Sequence, residues 1–173
     1  MIYSVLWGAP PSPPYTPPVG DGAVTAYFDP TTSTVSCDNS VLLPSVAAGA
    51  LTSFLDDVLK ALGFPIGART AFISYWLPLF LKHAYVALRF VAQATFERAA
   101  PLNVIPRSDV VTRVFMLWRG IDSQEAACPM WEEAKQRTKL RYWCDIVGSD
   151  TVKACNESLF RVLEWGGMEV LYH

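Results

Sequence analysis

An α+β fold is predicted for this chain: one mixed or mostly antiparallel sheet packed against two or three helices. Three observations predict it. Two stretches of helical periodicity follow one another, at residues 51–62 and 68–82. The main strand-like stretches, 85–91, 109–118 and 159–171, all come after them. Helices grouped with helices and strands with strands favour α+β over a doubly wound sheet, in which the two alternate. The 173 residues suit a single domain, 1–173, and 51% hydrophobic content is ample for its core.

Residues 2–7 are apolar and β-prone, a short first strand. Pro10, Pro11, Pro13, Pro14, Pro17 and Pro18 follow. A Pro-rich segment at about 8–20 is therefore expected to be extended and polyproline-like, a rigid connector or a ligand for an aromatic groove. Residues 24–28 and 31–36 are β-prone and flank Asp29-Pro30, as two strands or one interrupted strand. In the first helix Leu51, Phe54, Leu55, Val58, Leu59 and Leu62 recur at helical spacing, and Gly63 is a natural stop. Phe72, Tyr75, Trp76, Leu79 and Phe80 form the stripe of the second. Pro78 lies inside it, removes a backbone donor and crowds the Ser74 carbonyl, so a kink is expected.

Val86, Leu88 and Phe90 share one face of the next strand, and Arg89 takes the other. Residues 93–99 suit one or two helical turns. The 109–118 stretch is apolar on both faces and is expected at the centre of the sheet. Residues 129–140 read as a polar, exposed helix. The closing strand contains Gly166-Gly167, and paired glycines in a strand suggest a bulge or a sharp bend.

A net charge of −2 and no basic stripe argue against a nucleic-acid partner. The densest basic run, Lys135 to Arg141, follows Glu132 and Glu133 and reads as a solvated helix face. The longest charge-free apolar run, 71–81, is too short to span a bilayer. Residues 1–18 carry no positive n-region, and their prolines break any apolar helix, so no export leader is expected. A cytoplasmic location follows, with secretion by a route lacking a classical signal peptide as the alternative. Cys37, Cys128, Cys144 and Cys155 lack the close ligand pairs of a zinc site. They read as buried free thiols, or as one or two disulfides. No metal and no cofactor is expected.

No GxSxG, HExxH, Gly-rich phosphate loop or EF-hand pattern is present. There are two histidines. His83 ends the second helix, where a cation suits the dipole, and His173 is the terminal residue. The most informative residue is Arg113, which alternation places with Val111, Phe115 and Leu117 while Val110, Val114 and Met116 fill the other face. A buried arginine demands an acidic partner. Glu164, between Leu163 and Trp165 of the closing strand, is the expected one, with Asp109 and Glu97 as the other candidates. The pair is expected either as a register-fixing ion pair or as a ligand-binding charge in a pocket lined by Trp76, Trp118 and Trp165.

Three segments occur together in this order: Phe72-Ile73-Ser74-Tyr75-Trp76-Leu77-Pro78; Pro106-Arg107-Ser108-Asp109 leading into Arg113-Val114-Phe115-Met116; and Glu164-Trp165-Gly166-Gly167. They resemble the YWLP, PxPD…RVFM and EWGG motifs of an uncharacterised domain family found in fungi and in secreted bacterial chains. The resemblance covers about residues 50–120 and 159–170. It implies one domain and brings no established activity. Against that pattern, about residues 123–156 read as an insertion.

Three functions are expected in order. The first is a non-enzymatic binding or interaction domain with a protein partner or with itself, as a homo-oligomer. The second is an enzyme with an unfamiliar acid/base site around Arg113 and Glu164. The third is a carbohydrate-binding module that displays Trp and Tyr faces to a glycan, which 13% aromatic content and six Trp make conceivable.

Overall fold

The computed structural model describes residues 2–8, 34–45 and 48–170. The Pro-rich segment and the β-prone residues 24–33 lie outside the described residues, as does His173. The chain is a single α+β domain with a mixed sheet. The elements are β1 (Ile2–Gly8), β2 (Val41–Pro44), α1 (Ala48–Ala61), α2 (Ile66–Phe80), β3 (Tyr85–Phe90), α3 (Gln93–Ala99), β4 (Val110–Ile121), α4 (Ser123–Ala126), a 3₁₀ turn (Pro129–Trp131), α5 (Glu132–Gln136), α6 (Leu140–Val147), α7 (Thr151–Ala154) and β5 (Arg161–Glu169). The strand order is β1-β5-β4-β3-β2. The β1/β5 and β5/β4 pairs are parallel, and the β4/β3 and β3/β2 pairs antiparallel. Among the described residues no helix is long and apolar enough to cross a membrane.

β4 holds the middle of the sheet, where a strand apolar on both faces belongs. One face packs on α1, α2 and α6: Val114, Met116 and Trp118 of β4 meet Leu55, Leu59, Phe72, Trp76, Phe80 and Trp143. The other face takes Leu42, Ala87 and Leu117 against Val35, Ala126, Trp131 and Ala134, with α3 beside them. Both faces are covered, and the apolar stripes of α1 and α2 cover one of them together with α6.

The 122–160 connection supplies the rest. β4 and β5 are parallel neighbours, so a crossover must join them. Trp131 of this connection is buried on the second face and Trp143 on the first. α5 packs against β2 on the way, covering an edge strand that would otherwise present unpaired backbone. Arg137 pins the passage, its Nη1 donating to the carbonyls of Cys37 (2.9 Å) and Ser40 (2.6 Å). The single polar helix expected over 129–140 is therefore corrected. Helix α5 stops at Gln136, α6 starts at Leu140, and Trp131 and Ala134 are core residues.

Two backbone expectations also resolve. Pro78 falls in the last turn of α2, and the ladder resumes at once, Leu81 N donating to the Leu77 carbonyl at 3.0 Å. Gly166-Gly167 makes no bulge: residues 161–169 pair one for one with 110–118. Gly167 is small for another reason. A Cβ there would lie 2.8 Å from the Met116 carbonyl oxygen and 2.9 Å from Cζ2 of Trp76. The indole is laid directly on the strand. We predict that Gly167→Ala costs about 1–3 kcal/mol by overpacking and lowers the melting temperature by several degrees. An unchanged transition in a thermal melt would show that the Trp76 indole has room to move aside.

Candidate functional site

Arg113 and Glu164 are cross-strand partners in the β4/β5 register. Arg113 Nε donates to Glu164 Oε2. Its Nη1 donates to the Ala100 carbonyl at 2.6 Å, and its guanidinium carbon stands 4.3 Å from the Phe96 ring centre. The Arg113 amide donates to Gln93 Oε1 (3.0 Å), and Gln93 Nε2 donates onward to Glu97 (2.8 Å) and to the Val111 carbonyl (3.0 Å). Helix α3 and the residue after it thus close over the pair. Arg113 is 2% and Glu164 3% exposed.

The pair is sealed, and it is also separated from the tryptophans. Side chains alternate along a strand, so Trp118 leaves β4 on the face opposite Arg113, and Trp165 leaves β5 opposite Glu164. Trp76 stands with them under α2, 6.3 Å from Trp118 between ring centres, while Phe72 stands 5.1 Å from Trp165. The expected pocket combining Arg113 with Trp76, Trp118 and Trp165 does not form, because the sheet runs between them. The indole N–H groups of all three are buried without an acceptor. Leaving a buried donor unmade costs about 1–3 kcal/mol each. Burying roughly 150–250 Å² of ring at about 25 cal/mol/Å² contributes roughly 4–6 kcal/mol, so packing wins. The five described tryptophans are at most 3% exposed, which leaves none of them as a face for a glycan. Among the described residues Tyr75 and Tyr142 are the exposed aromatics, at 39% and 38%.

The other candidates lie apart. Asp109 is exposed and accepts the Phe160 amide (2.7 Å), joining the entrances of β4 and β5. Glu97 is exposed and reaches Arg113 only through Gln93. His83 lies past the end of α2 at Phe80, its Nε2 3.7 Å from Glu169 Oε1, each side chain about one-third exposed. Its ring rests on Gly120, where a Cβ would come within 2.0 Å of it. No group of three or more His, Cys, Asp or Glu among the described residues could hold a metal. All four cysteines are free. Cys37 is buried, Cys128 and Cys144 are partly covered, and Cys155 is exposed, which corrects the expectation that all would be buried. Desolvation, reinforced by Asp38, raises the Cys37 thiol above its ordinary pKa, and desolvation with Asp145 raises Cys144.

The accessible concavity is elsewhere, where α5 breaks and α6 begins. Glu132, Glu133, Gln136, Arg137, Lys139 and Tyr142 line an open groove of about 510 Å³. Its floor is fixed by Arg137, whose guanidinium is held by the Cys37 and Ser40 carbonyls and whose own carbonyl accepts the Trp143 indole N–H at 2.9 Å. Tyr142 stands 6.0 Å from that guanidinium. The α5 rim is acidic: Glu132 is tied to Lys135 (2.6 Å), while Glu133 is 91% exposed and only loosely met by Arg137 (3.9 Å). Lys139, at the start of α6, adds a cation to the lining. Sequence reading missed the groove because it depends on the break at residues 137–139. The available signal was Tyr142-Trp143 directly after the basic run. No protein-family model matches the chain, and no curated protein or solved structure matches it.

Two outcomes follow from this geometry. Glu164→Gln leaves the guanidinium of Arg113 buried and unpaired, and is expected to cost about 3–5 kcal/mol in denaturant unfolding. Arg113→Met with Glu164→Leu together should cost far less, and equal losses for single and double variants would contradict a buried pair. At pH 7.5 a raised thiol pKa means less thiolate. Iodoacetamide should therefore label Cys155 first and Cys37 last, as read by mass spectrometry of the native chain. Early labelling of Cys37 would contradict its burial.

Proposed function

We propose that this chain is a non-catalytic binding domain that takes an extended segment of a protein partner in the α5/α6 groove. One observation carries the reading: the open groove of about 510 Å³ is lined by Tyr142 and by charged side chains of both signs. A half-exposed tyrosine on a pinned floor offers a rigid, amphipathic contact at low entropy cost. The acidic α5 rim and Lys139 give a segment a charge register. Catalysis finds little support in the same geometry. Of the carboxylates foreseen as an acid/base group near Arg113, Glu164 is sealed against it and Asp109 accepts the Phe160 amide, and Glu132 is already occupied by Lys135.

The test is peptide selection on the immobilised full chain from a random display library. Enriched peptides should carry an apolar residue, and their affinity should fall at least tenfold with Tyr142→Ala and with Lys139→Glu while the thermal transition is retained. No enrichment, or peptides indifferent to both substitutions, would overturn the proposal. A dimer in sedimentation that Tyr142→Ala dissolves would make the segment that of a second copy.

A further inference from the structure

The two edges of the sheet are treated differently. β2 closes one edge, and α5 packs against it. β1 closes the other. It pairs with β5 along all of residues 2–8, and among the described residues no strand lies on its far side. β5 is also the one described element packed closely on it. A strand at an edge holds a row of amides and carbonyls pointing away from its sheet. The ladder to β5 uses about half of the backbone groups of β1 and leaves the other half to a further strand.

The sequence of β1 has none of the features that keep such an edge single. Its seven residues, Ile-Tyr-Ser-Val-Leu-Trp-Gly, include no lysine, no other charge and no proline. They pair one for one with residues 161–167, so no bulge twists the strand away. Ile2, Tyr3, Val5 and Trp7 are residue types that favour strands. A neutral strand also meets no like charge when it pairs with its own copy, which a charged strand would do near the centre of the pairing. The sequence that follows is poor in the donors a hairpin return would need, since Pro10, Pro11, Pro13 and Pro14 carry no amide hydrogen.

We infer that β1 is a self-association edge, on which a second copy of this chain adds its own β1 to form one continuous sheet. A two-fold axis across the strands makes the pair antiparallel and isologous, each edge satisfying the other. Full overlap of residues 2–8 centres the axis on Val5 and sets Tyr3 opposite the partner subunit's Trp7, a combination of types that antiparallel ladders favour. The assembly closes at two copies, because each chain uses its β1 edge once and its β2 edge lies against α5. The interface is separate from the α5/α6 groove and does not rest on the function proposed for that groove.

The experiment is sedimentation equilibrium of the full chain over a range of concentrations, joined to hydrogen exchange of its backbone amides at the two extremes. A monomer–dimer equilibrium is expected, with the amides of residues 2–8 exchanging more slowly in the dimer. Successive amides of a strand point to opposite edges, so of Ser4→Pro and Val5→Pro one removes an outward donor and the other a donor to β5. The outward one should raise the dimer Kd about tenfold or more with the thermal transition retained, and the other should lower the transition. Tyr142→Ala should leave the Kd unchanged. A chain still monomeric at about 1 mM, or a dimer in which residues 2–8 exchange as fast as in the monomer, would overturn the inference. A dimer that Tyr142→Ala dissolves and neither proline weakens would assign the contact to the groove and overturn it equally.

Discussion

A guanidinium and a carboxylate held inside a sheet constrain everything around them. Removing two ions from water costs several kcal/mol apiece, and their mutual attraction repays that only in good geometry with the remaining hydrogen bonds made. Arg113 and Glu164 meet this condition through one register of β4 on β5 and one position of α3. A slip of one residue would turn Arg113 into the face occupied by Trp76 and Trp165 and would strand both charges. An apolar pair of equal volume could stabilise the sheet as well or better. What the ions add is discrimination between registers, and this matters most here because β4 and β5 are parallel and no tight turn sets their alignment.

The segments that looked like motifs converge on this pairing. Phe72 and Trp76 of α2 pack on Trp165 and Gly167 of β5, Val114 sits beside Trp165, and Arg113 sits beside Glu164. Each residue type has a packing reason. Gly167 admits the Trp76 indole, and Trp165 fills the space over Phe72. The acid within β5 answers the base within β4. A sequence pattern produced by mutual packing can be specific as a set while carrying no chemistry, and that is how these three segments behave.

Much of this was legible beforehand, and the rest failed for identifiable reasons. Helical spacing placed α1 and α2, and alternation placed β3 and β4, because these elements bury one regular stripe or two regular faces. The partner of Arg113 was legible because a charge inside an apolar strand leaves few options. The placement of the tryptophans was wrong, although alternation already contained the answer: residues 113 and 118 differ by an odd number, as do 164 and 165. The 122–160 connection was illegible for a different reason. Its helices are 4 to 8 residues long, too short for a hydrophobic period to declare itself, and their form is imposed by contacts with two faces of the sheet. Arg137, which holds the passage, reads in sequence as one more charge in a solvated run.

That connection also carries the groove proposed as a binding site. Antiparallel neighbours can be joined by two residues, whereas parallel neighbours need a crossover of a dozen or more. Here the crossover is long enough to wrap from one face of the sheet to the other. Wrapping requires breaks between helices, and each break leaves polar groups that the core does not absorb. The break between α5 and α6 exposes Glu133, Lys139 and Tyr142 around a groove. The return through α7 brings the Ala154 carbonyl to Arg161, whose Nη1 donates to it. In the interior, by contrast, Arg113 and Glu164 spend their hydrogen bonds on each other and on α3. The groove proposed as a binding site therefore lies on the segment that the parallel β4/β5 pair made necessary, whereas the charge pair that secures that pairing is sealed inside the sheet.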